Sequence, residues 1–234
     1  MISSLENAKI KYLMKLNSSK FRKKEKKFLV EGRHLVDEAK RAGVLEEAFS
    51  TELKAGYTQV SASVMNKLCH TDTLVSELGL CRMVSNERVS NRMLILDAVQ
   101  DPGNMGALLR SAAAFGFSTV VLGEGCVDIY NDKVIRASQG AIFKLGFLYK
   151  GLPEFIPTLE AYKVYGTNVR NGIRLEEACA EERIALVLGN EGNGISEAVA
   201  ATIRQNIYIP MENTESLNVS VAGGIIMYVF RGSL

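Results

Sequence analysis

One arginine stands alone in an otherwise apolar helical segment of this sequence. The stretch DPGNMGALLRSAAAFG begins with a Pro-Gly turn and has helical spacing over residues 104 to 115, with Asn104 as the expected N-cap. Arg110 interrupts this segment, and no acidic residue lies three or four positions away to pair with it. A guanidinium in this setting suits a phosphate or a developing oxyanion. The residue types alone also allow a solvated surface arginine.

A carboxylate lies inside a glycine-rich loop, in the stretch IALVLGNEGNGIS. The pattern predicts a strand, a loop and a helix, and Gly189, Gly192 and Gly194 leave backbone N–H groups open to a ligand. The loop has neither the GK[ST] of a P-loop nor the order G-x-G-x-x-G of a dinucleotide site. Glu191 would repel a phosphate. It suits a ligand that offers N–H, hydroxyl or cationic groups, or it fixes the loop itself, and the sequence favours neither.

A third polar segment, MENTESLN, precedes the last apolar stretch of the chain. Ser216 is well placed to cap a final helix that we predict over residues 217 to 230. Asn218 stands beside the same helix start, where an amide can hold a ligand through both a donor and an acceptor. We therefore expect a polar opening next to an apolar helix.

No residue pattern predicts a metal site, a disulfide framework or a membrane span. The four cysteines are far apart without a CxxC pair, and neither histidine has a metal-like partner nearby. No apolar stretch approaches the ~20 residues that a membrane span needs, and the N-terminus lacks a signal-peptide core. We therefore expect a soluble, cytoplasmic protein without a metal ion.

The elements that must position the three polar loops alternate in the second part of the chain. Strands are predicted at residues 93 to 97, 119 to 122, 163 to 167, 184 to 188 and 206 to 209, and helices at 104 to 115, 134 to 143, 154 to 161, 195 to 204 and 217 to 230. This alternation predicts an α/β fold with a parallel sheet. Ligands gather at the carboxyl ends of such strands, where the three loops are expected.

The first part of the chain predicts a separate domain. The stretch FLVEG is a short strand candidate, and residues 33 to 42 have the spacing of a helix. The polar stretch SNERVSNR, residues 85 to 92, predicts a linker. We therefore expect domains over residues 1 to 88 and 89 to 234.

Basic residues are concentrated at the start of the chain. Residues 1 to 33 carry ten Lys or Arg against three Glu, a net +7, which leaves −5 for the rest of a chain whose net charge is +2. A concentrated basic segment on a mildly acidic body indicates a polyanionic partner, although a solvated lysine-rich surface has the same composition.

Together the three loops resemble the motifs of the SpoU/TrmH family, within the SPOUT superfamily of RNA methyltransferases. The matching patterns are N-x-G-x-x-x-R-x-A-x-A-F-G from Asn104, G-x-E-G-x-G-I-S from Gly189, I-P-M from Ile209 and S-L-N-V-S-V-A from Ser216. The segment KVIRASQGAIF is similar to a further family segment, although Asp132 before it stands where many members have proline. More weakly, FLVEGRHLVDEAKRAG resembles the small α/β substrate-binding domain that often precedes the catalytic domain.

The resemblance implies a fold, a cofactor and an assembly. The second domain would contain a deep trefoil knot, an exception to the usual unknotted chain. S-adenosylmethionine would bind in the knot, and the family works as homodimers. By motif position, the cofactor-binding residues would be Thr167, Gly189, Ile209, Met211 and Leu217.

The resemblance also implies methyl transfer to a ribose 2′-hydroxyl in RNA, with ribosomal RNA favoured over transfer RNA. The catalytic residues would be Arg110, Asn104, Glu191, Ser216 and Asn218. Arg110 would act as the base or as a charged stabiliser of the forming alkoxide, and the sequence leaves both roles open. The residues expected to contact RNA are Lys20, Arg22, Lys23, Lys24 and Arg33.

Two other functions are compatible with parts of the sequence. One is an RNA-binding protein of the same fold that has lost methylation, which the intact set of motif residues disfavours. The other is a dinucleotide-dependent enzyme on an ordinary Rossmann sheet, which would need a G-x-G-x-x-G after its first strand. The stretch DPGNMG does not supply that pattern.

Overall fold

The chain folds into two units that a single cut in the sequence cannot separate. The computed structural model describes residues 1 to 71, 75 to 83, 89 to 169, 171 to 179 and 181 to 232. One unit consists of Met1–Val84 and Asp128–Phe143, and the other of Ser85–Val127 and Lys144–Leu234. The predicted boundary, between residues 88 and 89, and the first part of the predicted linker lie outside the described residues. The predicted division did not foresee that residues 128 to 143 pack in the first unit.

The first unit is a small α/β domain with the strand order β1-β4-β2-β3. Its elements are α1 (Ala8–Lys15), α2 (Ser19–Glu25), β1 (Lys27–Glu31), α3 (Arg33–Arg41), β2 (Leu45–Ser50), β3 (Thr58–Gln59), α4 (Ala62–Leu68), β4 (Glu77–Arg82) and, from the returning segment, α6 (Asp132–Ser138) and a 3₁₀ turn (Ala141–Phe143). Ile10 and Leu13, one turn apart on α1, are fully buried against Phe49 of β2 and Met65 of α4. The returning segment is held by Phe28, whose ring lies 4.7 Å from that of Tyr130.

The second unit is a parallel sheet with the strand order β7-β6-β5-β10-β8-β11-β9. Its elements are β5 (Arg92–Leu96), α5 (Pro102–Ala114), β6 (Thr119–Leu122), β7 (Gly146–Tyr149), α7 (Leu152–Phe155), β8 (Lys163–Thr167), β9 (Ile173–Arg174), β10 (Ile184–Leu188), α8 (Glu197–Ala200), β11 (Gln205–Tyr208) and α9 (Val219–Val229), with 3₁₀ turns at Ile156–Thr158 and Leu175–Glu177. Neighbouring strands pair in parallel throughout the described sheet. All five residues of β10 are buried, as expected for a central strand covered on both faces.

The predicted fold class is confirmed: a parallel α/β domain is preceded by a small α/β domain. The deep trefoil knot stays a prediction. No helix in the described ranges is long and apolar enough to cross a membrane.

The last helix lies unusually close to its neighbours. A Cβ built on Gly223 of α9 would lie 2.6 Å from Leu108 of α5 and 2.7 Å from Leu188 of β10. Only glycine fits this contact without a shift of the neighbouring side chains. Gly223 therefore allows α9 to pack against the helix and the strand that carry two of the three polar loops.

Candidate active site

A cavity of about 410 Å³ opens at the carboxyl ends of β8, β10 and β11. This is the edge of the sheet at which a ligand was expected. Glu191 and Ser216 line the cavity. So do all five residues predicted to bind a cofactor: Thr167, Gly189, Ile209, Met211 and Leu217. Its size falls in the range of small-molecule sites, which is roughly 300–1,000 Å³.

The glycine-rich loop after β10 folds tightly on itself and forms one wall of the cavity. The backbones of Asn190 and Gly194 exchange two hydrogen bonds, of 2.8 and 2.9 Å. A Cβ on Gly189 would lie 2.1 Å from the carbonyl carbon of Gly194, and Gly194 has a φ of +70°. Glycine is required at both positions, so the backbone itself faces the cavity.

Asn190 fixes this loop, a role that the sequence analysis missed. Its Oδ1 accepts hydrogen bonds from the backbone N–H groups of Gly192 and Asn193, at 3.0 and 3.1 Å. Its Nδ2 donates to the carbonyl of Ala98, at 2.9 Å. An asparagine at the start of a glycine-rich turn is typical of this kind of side-chain cap, and that signal is visible in the sequence.

Glu191 ties the glycine-rich loop to the segment before α5. Its carboxylate accepts hydrogen bonds from the backbone N–H groups of Gln100 (3.2 Å) and Asp101 (2.9 Å) and from Nδ2 of Asn104 (3.2 Å). Burial by itself would raise the pKa of Glu191, but these hydrogen bonds to the carboxylate outweigh it and lower the pKa below its ordinary value. Of the two roles that the sequence left open, the structure supports fixing the loops.

Asn104 and Asn218 join the third loop to the same network. Nδ2 of Asn218 donates to Oδ1 of Asn104 at 2.9 Å, so the contacts run from Asn218 through Asn104 to Glu191. Three catalytic candidates that are far apart in the sequence therefore meet in one hydrogen-bonded chain.

The predicted caps of both helices were wrong. Helix α5 begins at Pro102 and is capped by Asp101, whose Oδ1 accepts from the backbone N–H of Asn104. Aspartate before proline is a strong helix start because proline has no N–H to satisfy. Helix α9 is capped by Asn218, which accepts from Ser220 and Val221, and not by Ser216.

Two catalytic candidates lie outside this network. Arg110 is on α5 and exposed, and its guanidinium forms no hydrogen bond or ion pair with any described residue. It does not line the cavity. Ser216 is exposed and lines the cavity, and its carbonyl accepts a hydrogen bond from the hydroxyl of Thr214 at 3.0 Å.

Asp97 is a further functional candidate that the sequence analysis missed. It follows β5 directly, is only 7% exposed, and its Oδ2 accepts a hydrogen bond from the backbone N–H of Ser196 at 2.7 Å. The carboxylate thus fixes the far end of the glycine-rich loop. An acidic residue at the carboxyl end of an apolar strand was the available signal.

The residues predicted to contact RNA differ in whether their charged groups are exposed and free to bind a phosphate. Lys20, Lys23 and Lys24 are exposed and form no ion pair within the described residues, and Arg33 is exposed, with its Nε 3.8 Å from the carboxylate of Asp37. Arg22 requires a correction, because it is only 6% exposed. Its guanidinium donates to the carbonyls of residues 16 and 17 and, at 2.7 Å, to the carboxylate of Asp128. These partners leave it unavailable to a phosphate.

In the part of the chain that the structure describes, no group of three or more His, Cys, Asp or Glu is arranged to hold a metal ion. The four cysteines are free, and burial raises the pKa of the Cys69 thiol to about 12.

Two family models match the chain. The model of the SpoU rRNA Methylase family matches residues 91–228, and that of the MRM3-like substrate binding domain matches residues 7–74.

Similar proteins span the chain from end to end. The 23S rRNA (guanosine(2553)-2′-O)-methyltransferase RlmP of Bacillus subtilis is 37% identical, and the match covers 99% of each chain. A structure described as an RNA methyltransferase of the TrmH family from Porphyromonas gingivalis is 30% identical, with a TM-score of 0.86 over 97% of this chain and 99% of its own. An rRNA methyltransferase from Sinorhizobium meliloti with bound AdoMet is 23% identical and shares the fold, with a TM-score of 0.87 over 98% and 96% of the two chains.

Proposed function

Because this chain belongs to the SpoU rRNA methylase family, we propose that it transfers a methyl group from S-adenosylmethionine to a ribose 2′-hydroxyl in RNA. The observation that carries this proposal is that two of the three family loops line one cavity at the carboxyl edge of the sheet, while the third, at the start of α5, is hydrogen-bonded to both through Asn104. The full-length relative from Bacillus subtilis is named for the same reaction on 23S rRNA.

The cavity fits S-adenosylmethionine in its chemistry. The apolar side chains of Leu188, Leu217 and Ile226 line it beside the backbone of the glycine-rich loop. Apolar surface with a few polar backbone groups suits an adenine ring, whose faces are apolar and whose edge forms hydrogen bonds. When bound, S-adenosylmethionine supplies an electrophilic methyl on a sulfonium. We propose that Thr167, Gly189, Ile209, Met211 and Leu217 hold it.

The protein must activate and align the ribose hydroxyl, because an alcohol is a poor nucleophile. Loss of the hydroxyl proton leaves negative charge on the ribose oxygen. This oxygen would take the methyl group as the bond from that methyl to the sulfonium sulfur breaks and the neutral thioether leaves. Arg110 is the proposed catalytic group, since its guanidinium has no other partner among the described residues. A charged Arg110 would stabilise the developing alkoxide, whereas an Arg110 that acts as the base would accept the proton.

Asn104, Glu191 and Asn218 are proposed to position this chemistry. Their hydrogen bonds join the start of α5, the glycine-rich loop and the start of α9. Arg110 lies on α5, so the network fixes the helix that carries it. Ser216 lines the cavity, and we propose that its hydroxyl contacts the RNA.

We further propose that the enzyme is a homodimer joined through α9. Four large apolar side chains of α9 are 39 to 52% exposed: Val221, Ile225, Tyr228 and Val229. Three of them lie four residues apart and form one apolar stripe along the helix. A stripe of this kind needs a partner, and the family resemblance implies a second copy of the chain.

The proposed substrate is a nucleotide of the large ribosomal RNA. This rests on the 37% identical relative, which acts on a guanosine of 23S rRNA. Mapping of 2′-O-methyl groups in cells with and without the gene should show one site in 23S rRNA that disappears on deletion. Loss of a methyl group from transfer RNA alone would contradict this substrate.

Donor binding and methyl transfer test the reaction itself. Calorimetry should show binding of S-adenosylmethionine and none of NAD, and single-turnover assays with radiolabelled donor should methylate the RNA at a ribose. An inactive RNA-binding protein of this fold would bind RNA without transferring the label. Binding of NAD alone would contradict the proposal.

A further inference from the structure

A shallow pocket of about 460 Å³ lies on the first unit, where α1 and α2 meet. Its apolar floor is formed by Met14 and Phe21, and both side chains pack on the domain core. Three lysines surround the floor, Lys15, Lys20 and Lys24, and no acidic residue lines the pocket. The three ammonium groups form no ion pair within the described residues.

The floor of the pocket is preorganised. The ring of Phe21 packs edge-on against Tyr12, with centroids 5.7 Å apart, and the Tyr12 hydroxyl donates to Glu25 at 3.2 Å. The buried Arg22 binds the two carbonyls of the turn between α1 and α2, at 3.0 and 2.9 Å. A fixed aromatic ring loses little conformational entropy when a ligand stacks on it.

The rim also offers neutral polar groups. The side chains of Asn17 and Ser18 are exposed, line the pocket and form no hydrogen bond with any residue in the described ranges. An amide and a hydroxyl can each donate and accept, as the edge of a nucleobase requires. Nζ of Lys15 lies 5.9 Å from the centroid of the Phe21 ring, so a cation already stands beside the stacking surface. An apolar floor, a polar edge and three cations without ion pairs among the described residues match a base, its edge and its flanking phosphates.

We propose that this pocket binds one unstacked nucleotide of the substrate RNA, with its base on Phe21 and Met14 and its phosphates on Lys15, Lys20 and Lys24. The inference rests on the proposed function, in that RNA is the substrate. Aromatic rings beside lysines are typical of sites for single-stranded nucleic acid, because every base has a face that can stack. Charge favours this occupant, since an RNA strand brings a phosphate for each lysine.

The test compares a short labelled single-stranded RNA with the blunt duplex of the same sequence, using fluorescence anisotropy and the full-length protein. Phe21→Ala should bind the single strand roughly 5- to 100-fold more weakly and leave duplex binding nearly unchanged. Phe21→Leu keeps an apolar side chain on the core without the flat ring, and should also lose affinity for the single strand. If Phe21→Ala has a lower melting temperature than the wild type, the affinity of Phe21→Leu for the single strand is the decisive measurement.

The contribution of the three lysines is measured separately, from the salt dependence of RNA affinity, with two other lysines as the control. Combined replacement of Lys15, Lys20 and Lys24 by Ala should flatten the slope of log affinity against log salt by about two, at roughly 0.7 per lost phosphate contact. Lys40→Ala and Lys67→Ala should leave the slope unchanged, because both lysines are exposed and neither forms an ion pair with a residue that the structure describes.

Unchanged single-strand affinity in Phe21→Leu and in the triple lysine variant would overturn the inference, and would leave the pocket to a protein partner. Donor binding and methylation at saturating RNA are measured on the same samples. Their absence in the wild-type protein would count against the proposed function instead.

Discussion

Arg110 is an exposed cation on a helix that otherwise contributes apolar residues to the core. We expect Arg110→Ala to lower single-turnover methylation by roughly 10²- to 10³-fold, because it removes a group that acts on charge developing at the oxygen. Arg110→Lys should also be poor, since an ammonium lacks the planar guanidinium. Donor affinity, measured by calorimetry, should stay within error of wild type.

Arg204→Ala provides the control, because Arg204 is exposed and forms no ion pair in the described part of the second unit. Near-normal turnover in Arg110→Ala would remove Arg110 from the mechanism.

We expect donor affinity to fall in acid, because the loops that bind the donor depend on the ionised carboxylate of Glu191. Its hydrogen bonds lower its pKa in the folded protein, so the carboxylate stabilises the loops fully above the ordinary carboxyl pKa. That stabilisation is lost as the pH falls through the lower, folded pKa. Calorimetric titration from neutral to acidic pH should show donor affinity falling in this range. Glu191→Gln should bind the donor more weakly at neutral pH and without this acid step, and an identical acid step in the variant would contradict the assignment.

The strands were the most predictable elements of the fold. Strands β6, β8 and β10 have the predicted bounds, because short runs rich in β-branched and aromatic residues that alternate with helices are typical of a parallel sheet. Strand β7, only four residues at the sheet edge, was missed. The helix predicted over residues 154 to 161 is replaced by a short helix and a 3₁₀ turn. Pro157, which has no N–H to donate, lies in that turn.

The loops that form the candidate site could be recognised in the sequence. Glycines and amides after apolar strands marked all three loops, and Gly189, Gly192 and Gly194 line the cavity. The five cofactor residues, which also line it, came from the family resemblance. The sequence does not predict contacts between side chains that are far apart along the chain. Arg22 looks like its lysine neighbours in sequence, but its carboxylate partner Asp128 is 106 residues away.

The ion pair of Arg22 with Asp128 helps to hold helix α2 in place, which gives a prediction for stability. Arg22→Ala leaves the carboxylate of Asp128 without its cation, and should lower the free energy of unfolding by about 3 kcal/mol. Lys23→Ala, an exposed neighbour, should change it by less than about 0.5 kcal/mol. Urea denaturation of the full-length protein measures both, and equal effects would show that the pair contributes nothing.

The same pair should weaken in acid. Burial would raise the pKa of Asp128, but hydrogen bonds from Arg22 and Ser19 outweigh it and lower the pKa. Its contribution is therefore complete above the ordinary carboxyl pKa and is lost as the pH falls through the lower folded value. The difference in stability between wild type and Arg22→Ala should shrink in that range.

At the scale of the whole molecule, the proposed dimer depends on the apolar stripe of α9. Ile225→Glu places a charge in the middle of this stripe and should shift the protein from dimer to monomer in sedimentation velocity. Leu53→Glu, at a position 90% exposed in the first unit, should remain dimeric. A wild-type protein that sediments as a monomer would refute the dimer.

The return of Asp128–Phe143 to the first unit constrains how this gene could have been assembled. If recombination joined an RNA-binding domain to a catalytic domain at one crossover point, residues 128 to 143 would be inherited with the catalytic domain and not with the unit in which they pack. The incoming domain would then meet a foreign partner for Phe28 and no matching carboxylate for Arg22. Exchange of the first unit between relatives therefore requires two crossovers, or the joint inheritance of both segments. Substrate specificity in this architecture should evolve by point substitution on the first unit more readily than by domain shuffling.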